Sequence, residues 1–453
     1  MDITRRTLLQ AIPAAALAGK ARLAGKARPN ILFINTDQLS ASAMGLNAYV
    51  RTPALDSLAA RGTVFRNSFA SYPRCSPSRA CWFTGRGTHA TGVLDNSQPI
   101  ADGIPTMGSI FSHAGYNTVF GGKWHLPSLE GEVPGFKRIY GCTKLGKDMD
   151  APLADACVNF LRSKPREPFL LHAGFTNPHD VCKWIRENAE NRTHPEVDTY
   201  PPAPANMAIA PDEPEYLQVH RRNQMRGEGS ETGIAAKWLA DHFRYYLHCY
   251  YRMVESVDRE IGRVLAALHQ TGLDSNTVVV FTADHGEGMG AHYWVEKGAF
   301  WEQVIRVPLI ISAPRDGGRG GVQAVPACGY DLLATMCDYA GFPAPEGSCG
   351  ISLRPAVQGQ SIARRYVVSE VFAKGHGSRD NEGRMVRTER FKYNCYNKGA
   401  RPEQLFDLQR DPGEIFNLAT SAEHRDMLRE HRLMLQEWLK TAKDDFQPAV
   451  ALS

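Results

Sequence analysis

A chain of 453 residues is longer than one ordinary hydrophobic core organises, so a large domain with a smaller companion is expected. Lys and Arg total 52 against 48 for Asp and Glu, a formal net charge of +4 without long runs of one sign, which excludes the electrostatic footprint of a nucleic-acid binder. An anionic ligand must therefore be met by a local arrangement of side chains.

The first segment, MDITRRTLLQAIPAAALAGKA, joins the paired Arg5 and Arg6 to a short, weakly apolar run from Leu8 to Leu17 and then to small residues. This is the pattern of a twin-arginine export signal, and the run is too short to span a bilayer. Residues 1–27 are expected to be signal and linker, and the mature protein periplasmic or secreted. No other stretch reads as a transmembrane helix.

Beyond it, five apolar, β-branched runs read as strands: NILFINTD (Asn30 to Asp37), YNTVFGGKWH (Tyr116 to His125), PFLLHAGFTNPHD (Pro168 to Asp180), NTVVVFTADHGE (Asn276 to Glu287) and VPLIISAP (Val307 to Pro314). Continuous apolar strands alternating with helices predict an α/β fold, a mostly parallel sheet covered by helices on both faces. One such helix precedes Asn276, where Val254, Val257, Ile261, Val264, Leu265 and Leu268 form a single stripe that Gly272 ends. Four of the strands run directly into polar residues: Asp37 and Gln38, Lys123 and His125, His179, then Asp284 and His285. In open α/β sheets the ligand crevice lies beyond the carboxyl ends of the strands, so these residues are expected to converge.

The segment from Lys183 to about Gly233, rich in Pro, Asn and charge, predicts a long surface excursion near the mouth of that crevice; Trp184, His194, His220, Arg221 and Arg222 are its candidates for stacking on a sugar and pairing with its anionic groups. After about Arg354 the pattern changes to short antiparallel strands, a turn at Asp411, Pro412 and Gly413, and a final helix from Ala422 to about Ala442. A catalytic domain over 28–354 and a small α+β domain over 355–453 follow from this shift. The ten cysteines show no CxxC pair or zinc-like spacing, so most are expected as small buried apolar residues.

One cysteine stands apart. In RCSPSRACWFTGR, Cys75 sits just before what reads as a helix N-terminus, with Arg74 and Arg79 nearby, a setting that stabilises negative charge. Taken alone this fits a thiolate nucleophile or a buried structural thiol. The frame Cys75-x-Pro77-Ser78-Arg79, followed by Thr84, Gly85 and Arg86, resembles the signature of the type I sulfatases of the alkaline phosphatase-like superfamily. The likeness extends to Asp37-Gln38, G-K-W-H at 122–125, Pro178-His179, D-H-G-E at 284–287, Lys297, R-V-P at 306–308 and the closing LFDLQRDPGEIFNLA.

That resemblance implies an enzyme in which a maturation enzyme oxidises Cys75 to formylglycine, whose hydrate attacks the sulfur of a sulfate ester with one hydroxyl and expels sulfate through the other. It implies a divalent metal, calcium before manganese or magnesium, held by Asp37, Gln38, Asp284, His285 and residue 75. Arg79 would hold the formylglycine hydroxyl, Lys123 and Lys297 would face the nonbridging sulfate oxygens, His125 would be the base, and His179 the donor to the leaving oxygen. Gln38 stands where many relatives have a second Asp and His285 where many have Asn, which lowers the anionic charge. The segment after Gln38, LSASAMGLNAY, lacks the arginine and aspartate that often follow, a change expected to reshape the pocket floor. The substrate expected is a sulfate monoester, favoured on a carbohydrate. The rivals are a phosphonate monoester or phosphodiester hydrolase of the same superfamily, a catalytically silent carbohydrate-binding relative, and a metal-free cysteine hydrolase.

Overall fold

The computed structural model describes residues 28–45, 47–127, 133–141, 149–190, 193–195, 200–223, 234–316, 320–372 and 381–452. The expected export segment and Cys142 lie outside them. NILFINTD forms β1 (Asn30–Asp37), buried along its whole length. Ile31 and Phe33 enter one apolar cluster while Leu32 and Ile34 enter another, the two-residue alternation of a strand with both faces covered.

The other strands before residue 330 are β2 (Thr63–Phe65), β3 (Ser68–Phe69), β4 (Asn117–Gly122), β5 (Lys137–Gly141), β6 (Phe169–Pro178), β7 (Thr277–Ala283), β8 (Leu309–Ser312), β9 (Gly321–Gln323) and β10 (Ala327–Cys328). Eight of these ten strands, β1 included, form one sheet in the order β5-β4-β6-β1-β7-β8-β2-β9, with β3 and β10 pairing apart. The five strands from β5 to β7 are parallel to their neighbours. The stretch Val307 to Pro314, grouped above with the parallel strands, forms β8 and instead runs antiparallel to β7 and β2. The connection 284–308 holds only one-turn helices. It stays at the end of the sheet where β7 finishes, and a strand re-entering from that end must run backward; a parallel return needs a crossover.

Helices cover both faces. Ala240–Gln270 buries its predicted stripe of Val254, Val257, Ile261, Val264, Leu265 and Leu268 beside helix Asp150–Arg162, and Gly272 caps it at φ 72°. The opposite cluster takes Ala80, Trp82 and Phe83 from helix Cys75–Thr84 and Leu332, Leu333 and Met336 from helix Asp331–Ala340.

The C-terminal part is an antiparallel meander of β11 (Val367–Phe372), β12 (Glu382–Arg387), β13 (Phe391–Tyr396) and β14 (Glu403–Asp407). Helix Arg425–Ala442 packs on it through Leu428 and Leu435 against Val368, Val386 and Leu405. At the expected turn, the Asp411 carboxylate accepts the backbone N–H groups of Ile415 and Phe416, each at 2.8 Å. The small sheet is locked to the large one by buried Lys392, which donates to the Phe300 carbonyl at 2.6 Å and pairs with Glu302 and Glu414. This fastens the chain immediately after Lys297. No described helix is long and apolar enough to cross a membrane. All nine described cysteines are free, seven of them buried.

Candidate active site

β4, β6, β1 and β7 are consecutive in the sheet. Lys123, His179, Asp37 and Asp284 therefore emerge side by side at their carboxyl ends. Gly122, at φ 98°, makes the close turn out of β4; a Cβ there would strike the carbonyl oxygen of Gly174 on β6. Gln38 also takes a left-handed φ of 70°, held by its N–H on Asp284 Oδ1 at 3.0 Å and by Tyr250, whose hydroxyl donates to its carbonyl at 2.8 Å.

Arg79 lies one helical turn beyond Cys75 and is fully buried. Its Nε donates to Asp284 Oδ2 at 2.9 Å, one terminal nitrogen to Asp37 Oδ2 at 3.0 Å and the other to the Lys123 carbonyl at 2.6 Å. Lys123 Nζ sits 2.7 Å from the same Asp37 Oδ2. The cations thus occupy the Oδ2 atoms and leave both Oδ1 atoms facing a common pole. Asp37 Oδ1 is 3.6 Å from Cys75 Sγ and 3.9 Å from His285 Nε2, while Asp284 Oδ1 is 3.7 Å from His285 Nε2. The His285 Nδ1–H donates to the Gly286 carbonyl at 2.8 Å, which turns Nε2 toward Cys75 Sγ at 3.2 Å; burial lowers this imidazole, but Asp284 and Cys75 raise it above its ordinary value.

This donor set fits a divalent cation. Ligand atoms of Asp37, Cys75, Asp284 and His285 all fall within 4.8 Å of one another. Burial and the neighbouring Asp37 push Asp284 up despite His285 and Arg79, the repulsion that a bound cation relieves. Burial and Cys75 act on Asp37 in the same sense, but Lys123, His179 and Arg79 outweigh them and hold its carboxyl far below the ordinary range.

Cys75 Sγ lies between these groups, within reach of both Asp37 Oδ1 and His285 Nε2. Burial raises the thiol, but Lys297, Lys123, His285 and a hydrogen bond with His125 together bring it well below its ordinary value, so the position favours an anion. Lys297 Nζ approaches Sγ to 3.3 Å and Gln38 Oε1 to 3.1 Å. Burial and Lys123 push His179 down to about 4, while Asp37 opposes them and a hydrogen bond ties the ring to Cys75. The free site therefore holds His179 as a neutral imidazole.

All ten residues singled out in the sequence for the reaction centre meet here. Three further ones had no role assigned: Glu287, whose carboxylate accepts from Gln38 Nε2, Cys182, whose thiol lies 3.2 Å from the same nitrogen, and Tyr250. Glu287 was visible within D-H-G-E, but only the fold shows what it touches.

The surface excursion is different. His220 and Arg221 are buried: His220 stacks on Trp294 with ring centroids 5.4 Å apart, and Arg221 binds Glu213 and the His292 carbonyl. They fasten the excursion to the 290s segment and are not free to contact a sugar. Trp184 and His194 enter an aromatic cluster with Tyr245, at 5.4 and 4.9 Å. The Arg222 side chain lies outside the described residues. After Gln38, Leu39 is buried in the core and Ala41–Ala43 form a short 3₁₀ turn capped by Ser40.

Residues 29–342 match the family model described as Sulfatase, and residues 290–441 match that of the N-sulphoglucosamine sulphohydrolase C-terminal region. A Δ4,5-hexuronate-2-O-sulfatase of Bacteroides thetaiotaomicron is 33% identical over 95% of this chain and 93% of its own. The solved structure of a 2-O GAG sulfatase superposes with a TM-score of 0.83 at 32% identity, covering 94% of this chain and 95% of the other. A phosphonate monoester hydrolase of Agrobacterium radiobacter shares the fold, with a TM-score of 0.75 at 24% identity over 92% and 95% of the two chains.

Proposed function

The chain belongs to the sulfatase family and is a sulfuric ester hydrolase; we propose that it removes a sulfate monoester from a uronic acid of a glycosaminoglycan-type oligosaccharide, with residue 75 acting as formylglycine. The observation that carries the reaction is the anion-favouring position of Cys75, between two lysines and opposite two carboxylates that each turn the oxygen not paired with Arg79 toward it and His285. The sugar rests on the hexuronate-2-O-sulfatase that is similar over nearly the whole chain.

A hydrated aldehyde supplies two hydroxyls on one carbon, one to attack sulfur and one to drive release. Asp37, Gln38, Asp284 and His285 would hold the metal, calcium being favoured by an oxygen-rich set, and the ion would add Lewis-acid charge beside the reacting sulfate. Lys123 and Lys297 neutralise the nonbridging sulfate oxygens. Arg79 keeps both aspartates and the residue 75 oxygen in register. His125 accepts the proton of the second hydroxyl, and His179 hydrogen-bonds the leaving oxygen; a bound sulfate ester brings the negative charge that offsets Lys123 and favours protonation of that ring.

A formylglycine-generating enzyme is the partner this reading requires, and Arg5 and Arg6 support export to a compartment where glycan fragments arrive. The test is hydrolysis by metal-replete enzyme of an unsaturated hexuronate-2-O-sulfate disaccharide, glucosamine-6-sulfate, an aryl sulfate and a phosphodiester, followed as sulfate release from the first three and as alcohol release from the last. We expect the hexuronate sulfate to be preferred. Faster turnover of the aryl sulfate would overturn the sugar assignment, and faster turnover of the phosphodiester would favour the phosphonate monoester or phosphodiester reading.

A further inference from the structure

Gln38 is a metal-ligand candidate with two unlike ends, and only its oxygen can ligate a cation. An aspartate at this position needs no orienting; an amide does. We propose that Glu287 is the positioning residue that fixes this amide, holding its nitrogen away from the metal pole and its oxygen toward Lys297 and residue 75. The proposal rests on the reading that Gln38 helps to hold the metal.

The orientation follows from obligate donors. Lys297 Nζ, which can only donate, lies 3.1 Å from one end of the amide, so that end is oxygen. The other end is then NH₂, and it meets Glu287 Oε2. Glu287 is fully buried, and its Oε1 accepts the Glu296 backbone N–H, another obligate donor, together with the Tyr246 hydroxyl. Three donors thus converge on one carboxylate, and the neighbouring Cys182 thiol, 3.3 Å from the amide oxygen, imposes no polarity of its own. Glu296 has a left-handed φ of 64°, which aims its N–H at Glu287 and sets the backbone immediately before Lys297. One carboxylate therefore positions both Gln38 and the lysine beside it.

The isosteric Glu287→Gln makes a sharp prediction. The Glu296 N–H still demands oxygen at one end of the new amide, so the substituted side chain presents NH₂ to Gln38. Gln38 must then turn its oxygen toward residue 287 and its NH₂ toward Lys297 and the metal pole. Gln38→Glu instead sets two buried carboxylates against each other. Exchanging both, Gln38→Glu with Glu287→Gln, restores every donor–acceptor pairing, with the polarity reversed only between the two exchanged side chains: residue 287 donates, and residue 38 accepts from it and from Lys297.

Calcium affinity, measured by chelator competition on the full chain with thermal unfolding followed in the same samples, tests this. We expect Glu287→Gln to weaken calcium binding by about 10- to 100-fold, as loss of a partner behind a metal ligand typically does, and the double exchange to recover to within a few-fold of wild type. Wild-type affinity in a folded Glu287→Gln, or a double variant no better than that single one, overturns the proposal. A Glu287→Gln chain that does not fold and is not rescued by the exchange also overturns it, assigning Glu287 to the fold instead. Asp37→Asn in the same assay separates the two levels of the argument: calcium binding unchanged there removes the metal reading itself, whereas loss there with an unaffected Glu287→Gln removes only this proposal.

Discussion

At the scale of single residues, Asp37 carries the heaviest load: it pairs with two buried cations, Arg79 and Lys123, and turns its remaining oxygen to the metal pole. Truncating it to Ala takes the shared carboxylate from both cations, leaving Arg79 only Asp284, and breaking a buried pair in this way typically costs about 3–5 kcal/mol. Asp37→Asn keeps the shape and some hydrogen bonding. It should retain a cooperative unfolding transition while losing bound calcium and, by loss of electrostatic preorganisation, at least roughly 10²–10³ of the turnover; metal analysis and sulfate-release rates check both. Lys297→Met should lower turnover by a similar factor through the lost charge at the sulfate oxygens, and sulfate-release rates at saturating substrate measure it. Asp37, Lys123, His179 and Asp284 were legible because each ends a recognisable strand. Glu287 was not legible in its role, because its meaning lies in which end of an amide 249 residues away it faces.

At the scale of elements, one contact joins a short helix beside the large sheet to the C-terminal part of the chain. His89, in the short helix Thr88–Thr91, donates from Nδ1 to Glu370 on β11 at 2.8 Å and from Nε2 to the Ala442 carbonyl at 3.1 Å. Buried Arg384 grips Asp444 beside them with bonds of 2.7 and 2.8 Å. Burial alone would lower His89, but Glu370 and Asp444 raise it to about 9. Since its folded value lies above its unfolded one, the contribution is fully present below about pH 6.5 and fades as pH rises through about 9; it is worth about 3 kcal/mol at most. Thermal unfolding of wild type should therefore lose stability between pH 6.5 and 9 more steeply than His89→Gln, and equal slopes would contradict the assignment. Of the elements, the long apolar strands, the helix Ala240–Gln270 and the antiparallel C-terminal sheet were legible from period and turn chemistry. β2, β5 and β9 are too short or too exposed to carry a pattern, and the reversed direction of β8 depends on the route of its connection rather than on its own residues.

At the scale of the whole molecule, the large sheet supplies the residues at its strand ends and the small sheet fixes the segment bearing Lys297, through Lys392 and its bond to Phe300. Removing the metal should loosen this centre, because Asp37 and Asp284 then repel across a buried site. A chelator should lower the melting temperature and added calcium restore it in proportion to the logarithm of its concentration, as binding linkage requires; a melting temperature indifferent to both would deny a resident cation. The central claim concerns residue 75, and it is tested most directly by measuring, across preparations with different extents of maturation, the rate of hexuronate-2-O-sulfate hydrolysis against the fraction of formylglycine found at position 75 by peptide mass analysis. The account predicts a rate proportional to that fraction and close to zero without it; full activity in protein carrying only unmodified Cys75 would contradict it.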